Sequence, residues 1–161
     1  MTQTVSKESE ARSLYSQGLE SFTRAHYKKA MRYFTRAAEL APNNPNCWSM
    51  LGHSLYSQGR NTEAIHAYVV ESQLRPDSAA PYHDIALILA STGRFEEAVD
   101  FAKKSLNLVG NSIDVLFYVG RLAVKSKRND FRDEITREIL KRAPLTAYSN
   151  IFVSGFEELG S

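Results

Sequence analysis

A helix breaker recurs along this chain at a fixed interval. Pro42 and Pro76 are 34 residues apart, Pro144 follows 68 residues later, and Gly110 occupies the position midway. Proline cannot continue a helix and glycine commonly ends one, so the spacing marks a repeated stop. The same shift aligns Gly18, Gly52, Ala86 and Gly120, and also Ala30, Ala64 and Ala98. Breakers and small residues held in one register describe an array of a single supersecondary unit.

Residues 45–78 show what is repeated. Asn44 suits an N-cap and Pro45 a first helical turn, where the missing N–H costs nothing. Trp48, Leu51, Gly52 and Leu55 then fall at i, i+3, i+4 and i+7, one face of a helix, and Gly59 supplies a turn. Ala64, Ile65, Tyr68 and Leu74 give a second helix its apolar face as far as Pro76. Gly52 and Ala64 stand where two antiparallel backbones would approach closely. The unit is a helical hairpin, and the chain is a row of them.

These residues resemble the tetratricopeptide repeat family, whose unit runs W-x2-L-G-x2-Y, then A, then F, then A and P. Trp48, Leu51, Gly52, Gly59, Ala64, Tyr68 and Pro76 follow that pattern in order. Leu14, Gly18, Tyr27, Ala30, Phe34, Ala37 and Pro42 do so in the first repeat, and Tyr82, Ile85, Ala86, Gly93, Phe95 and Ala98 in the third. The fourth keeps Leu116, Val119, Gly120 and Pro144 but has Arg132 where a small alanine belongs. Glu71 and Ala102 also depart from the pattern, at positions where the family usually buries a small residue and an aromatic one. The resemblance implies an all-α fold, a right-handed superhelical α-solenoid of about four hairpins, as one domain over residues 1–161. Its repeats are 11–44, 45–78, 79–112 and a degenerate 113–144, followed by a C-terminal capping helix over 145–158.

That last helix carries Tyr148, Ile151, Phe152, Val153 and Phe156 around much of its circumference, more than a cap requires. Either it packs on the fourth repeat, or it serves as an oligomer contact, making the chain a self-assembling scaffold through a homodimer at 145–158, or the array continues in a longer parent.

Composition narrows the partners. Charges nearly cancel at a net of +2, so the field that non-specific nucleic-acid binding needs is missing, and no nucleic acid is expected. No apolar run approaches membrane-spanning length, so no membrane is expected. A single cysteine, Cys47, forms no internal disulfide and reads as a small apolar filler, and the polar start MTQTVSKESEARS lacks the apolar core of a signal peptide. The expected location is cytoplasmic. His53 and His83, from adjacent repeats, do not complete a zinc set even with Asp84, and a Ser49–His53 pair has no oxyanion hole beside it. No cofactor, metal or catalysis is expected.

In the family, the first helix of each repeat lines a concave surface that usually takes an extended peptide or a helix of a partner protein. The matching positions are Tyr15, Leu19 and Phe22; Ser49, His53 and Tyr56; His83, Leu87 and Ala90; Phe117 and Arg121. Tyr15 and Phe22 have an alternative place between the first two repeats. Members that grip a C-terminal carboxylate use lysine, asparagine and arginine at five positions held here by Tyr15, Leu19, Met50, Ala80 and Asp84, so such a clamp is not expected. The lining suits an apolar or amphipathic segment, held by an adaptor or a dedicated chaperone. In length and repeat count the chain resembles the chaperones of secretion-system translocators. Arg24, Lys28, Lys29, Arg32 and Arg36 form a basic run, of which Lys28, Arg32 and Arg36 point outward, away from Tyr27, Ala30 and Phe34.

Overall fold

The computed structural model describes residues 2–109 and, beyond them, Tyr118, Arg121, Leu122, Lys125, Asp133 and Arg137. Six helices follow one another: α1 (Thr2–Thr23), α2 (Tyr27–Leu40), α3 (Pro45–Tyr56), α4 (Asn61–Leu74), α5 (Ala80–Ser91) and α6 (Phe95–Val109). No strand occurs among the described residues, and the fold is all-α. The helices follow one another as the pairs α1/α2, α3/α4 and α5/α6. Phe117, most of the fourth repeat and the helix expected over 145–158 lie outside the described residues. The chain falls into two compact units, Met1–Asp84 and Ile85–Ser161.

Each hairpin closes on the same turn. The His26, Arg60 and Arg94 N–H groups donate to the carbonyls of Ser21, Leu55 and Leu89, and the Ala25, Gly59 and Gly93 N–H groups to Phe22, Tyr56 and Ala90. That double bond pattern caps a helix C-terminus with one residue in the left-handed region. Ala25, Gly59 and Gly93 are that residue, with φ of 58°, 73° and 80°. Between hairpins the chain breaks differently. The Ala41 and Arg75 N–H groups donate to Ala37 and Glu71, the prolines at 42 and 76 follow, and the Asn44 side chain accepts from the Asn46 N–H at 3.1 Å to start α3. The expected cap at Asn44 is in place.

Packing inside the hairpins rests on a small-against-large fit. A Cβ added at Gly18 would come within 2.5 Å of the Phe34 ring, and one at Gly52 within 2.7 Å of the Tyr68 ring. The missing side chain at Gly52 therefore clears an aromatic ring, where the sequence suggested close approach to Ala64. In the next repeat both partners change together. Ala86 and Ala102 hold the two matching positions, and both are buried. With the ring gone, the extra methyl at Ala86 meets no aromatic side chain at that position.

The helix α1 starts nine residues ahead of the expected repeat boundary at 11. Its polar first turns contain neither proline nor glycine before Gly18, so nothing interrupts helix propagation. The extra turns and the α2–α3 connection flank a cleft of about 650 Å³ lined by residues such as Arg12, Tyr15, Leu40 and Pro42. Among the described residues no helix is long and apolar enough to cross a membrane.

Candidate functional site

The first-helix positions divide by environment. Tyr15 is half-buried, meets the Phe34 ring edge-on at 5.5 Å, and packs with Leu14 and Trp48 against Ala37, Ala38 and Cys47. Burial pushes its hydroxyl above the ordinary phenol range, the Cys47 thiol adds to this, and Arg75 opposes it. Phe22 is half-buried and meets Tyr27 edge-on at 5.2 Å, and Leu19 is half-buried too. Tyr15 thus packs against residues of both of the first two repeats, whereas the ring partner of Phe22, Tyr27, belongs to the first repeat itself. Cys47 is buried, and burial alone pushes its thiol up, which is what a filler residue gives.

Tyr56 behaves differently. It ends α3 with 43% of its surface exposed. Leu87, in the second unit, is 37% exposed, and Arg121 is exposed as well. Phe117 lies outside the described residues. Among the described residues, the large apolar side chains that remain exposed are Tyr56, Leu87 and Leu108, and the first two sit on first helices.

Ser49, His53 and His83 act on three residues that periodicity did not assign to a site, Tyr68, Glu71 and Asp84. The Tyr68 hydroxyl and His53 Nδ1 are 2.7 Å apart, with ring centroids at 5.4 Å. Tyr68 is held well above the ordinary phenol range, first by burial and then by the charges of Asp84 and Glu71. It therefore keeps its proton, and the hydroxyl and the imidazole share one hydrogen bond. Burial raises the Asp84 carboxyl, and His53 and His83 pull it back. Glu71 is raised chiefly by burial, against a hydrogen bond from Ser49 and the field of Arg75.

Glu71 occupies the register of Ala37 and Ser105, where the other repeats bury a small side chain. Its side chain is 2% exposed, one carboxylate oxygen lies 4.0 Å from the Arg75 guanidinium, and the other, Oε2, is buried with no hydrogen-bond partner. Arg75 itself donates to the Asn46 side chain at 2.7 Å. The departure at residue 71 was visible in the alignment of repeats. Its link to Tyr68 was not, because an aromatic at that position reads as core. Among the described residues no three histidine, cysteine or acidic side chains gather as a metal would require.

The basic run on α2 is exposed at Lys28, Lys29 and Arg32, whereas Arg36 pairs with Glu39 at 2.9 Å and Arg24 with Glu20 at 2.9 Å. The Lys29 ammonium stands 5.8 Å from the Tyr33 ring centre. Exposed pairs of this kind contribute little.

Three family profiles described as tetratricopeptide repeat match residues 11–44, 33–66 and 79–108, together more than half of the chain. Tetratricopeptide repeat protein 37 of Xenopus laevis is 28% identical over 120 residues, a stretch covering 73% of this chain. That stretch is 8% of the relative's own length. Among solved structures, MamA superposes with a TM-score of 0.73 at 16% identity, covering 81% of this chain and 72% of that one. The Yersinia enterocolitica type III secretion chaperone SycD, solved in complex with a peptide of the translocator YopD, superposes with a TM-score of 0.63 at 18% identity, covering 76% of this chain and 93% of that one. With the repeated turns, the glycine-to-aromatic fit and the matched profiles in agreement, the chain belongs to the tetratricopeptide repeat family.

Proposed function

We propose that this chain is a protein-interaction module, an adaptor or dedicated chaperone, that holds an apolar or amphipathic segment of a partner protein against the faces of its first helices. The observation that carries this reading is Tyr56, a large aromatic left 43% exposed on α3 while Phe34 and Tyr68 are closed off from water. A half-exposed tyrosine offers a partner large contact area at low entropic cost. The exposed Leu87 on α5 has the same character. SycD, which shares the fold, was solved with a bound peptide, and that precedent supports a peptide-sized ligand here.

The test is recovery of partner proteins on immobilised chain. Tyr56→Ala and Phe117→Glu should each weaken capture by roughly 10-fold, the loss expected of an aromatic anchor. Circular dichroism of each variant must match the parent. Undiminished capture by both variants would remove the first-helix faces as the site.

A further inference from the structure

We propose that the surface around Asp84, in the first turn of α5, carries a subsite for a lysine or arginine side chain of the bound segment, with Asp84 making the contact and Glu71 supplying field. This rests on the reading above and specifies its ligand.

Charge complementarity carries the argument. Between Pro45 and Tyr56, and again between Ala80 and Ser91, the only charged side chain in the sequence is Asp84. The same register holds Ser16 in the first repeat and Met50 in the second, so the acid is particular to this point of the array. Behind it lies a second carboxyl that packing does not call for: Ala37 and Ser105 fill the register of Glu71 in the neighbouring repeats. Glu71 Oε2 is buried without a partner, and the nearest cation, Arg75, stands 4.0 Å from the other oxygen and is engaged with Asn46. Asp84 also opposes the ionisation of Glu71, which places the two acids within each other's field. The groups that offset Asp84 are the imidazoles of His53 and His83, and no lysine or arginine is among them. His53 Nδ1 is moreover occupied by the Tyr68 hydroxyl. Asp84 is only partly buried, so an ammonium or guanidinium can reach it while neighbouring apolar residues of the same segment lie on Tyr56. A terminal carboxylate would be repelled there.

The experiment is selection of a random dodecapeptide display library on the immobilised full chain and on Asp84→Asn, Glu71→Gln and Tyr56→Ala. The parent should enrich peptides with one lysine or arginine among apolar residues. Asp84→Asn should return basic residues to library background while apolar enrichment persists, and Glu71→Gln should reduce the basic enrichment in part. A selected peptide resynthesised with an acetylated N-terminus should bind as before, whereas its Lys→Met or Arg→Met version should bind roughly 10-fold more weakly. Binding of the basic peptide by the parent should also fall as salt rises, a readout that needs no variant. Apolar enrichment without basic residues, or basic enrichment unchanged in Asp84→Asn, overturns the subsite and leaves the groove reading standing. Peptides that bind Tyr56→Ala as well as the parent, or no enriched pool at all, overturn the groove reading and the subsite with it.

Discussion

Ala25 holds a φ of 58° at a position where the next two repeats use Gly59 and Gly93. A Cβ in the left-handed region costs about 1 kcal/mol or more, and Ala25 is exposed, so its methyl recovers nothing by packing. Ala25→Gly removes that strain while adding some freedom to the unfolded chain. The net expected is a gain of about 0.5 kcal/mol, read as a rise in Tm of roughly 1–2 °C by thermal circular dichroism. A fall in Tm would mean that the methyl contributes more than its exposure allows.

Glu71 presents the opposite case, a residue kept at a cost to stability. Burial raises its carboxyl above the unfolded value, so the native state holds the proton to higher pH than the unfolded chain does. Stability from this group is complete below the unfolded value, near 4.3, and is lost as pH climbs through the higher native value. Glu71→Gln carries no such loss. It should melt at least about 2 °C above the parent at pH 7, with the difference closing when both are measured below about pH 4. A parent more stable than the variant at pH 7 would show that Ser49 and Arg75 outweigh desolvation.

At the level of the helix pair, the glycine on the first helix and the ring on the second act as one fitting. Gly52→Ala pushes a methyl to within 2.7 Å of the Tyr68 ring and should cost about 1–3 kcal/mol by overpacking. The third repeat already contains the compensated form, Ala86 with Ala102. Adding Tyr68→Ala to Gly52→Ala should therefore cost less than the two single changes summed, by 0.5 kcal/mol or more in a urea double-mutant cycle. Strict additivity would deny that the two positions form one steric unit.

Across the whole molecule, the sequence revealed what repeats and concealed what does not. Prolines at 42 and 76, glycines at 59 and 93 and alanines at 30, 64 and 98 recur at one spacing, and that spacing pointed to the helical hairpins of an all-α fold. The first turns of α1 were missed because a polar helical extension has no apolar period to detect. The left-handed turn at residue 25 was hidden by an alanine. Of the candidate site, register alone put Tyr56 and Leu87 on first helices, α3 and α5, and both are exposed there. The bond from Tyr68 to His53 and the burial of Glu71 were not, because periodicity assigns a position to the interior without saying which polar groups meet there.

The hairpin turns carry one more consequence. Each is shut by main-chain hydrogen bonds from residues such as His26, Arg60 and Arg94, whatever side chains surround them. Tip residues such as Ser57 are accordingly at liberty to diverge, and such a chain can acquire new lettering along its rim while the interlocked rings within it stay as they are.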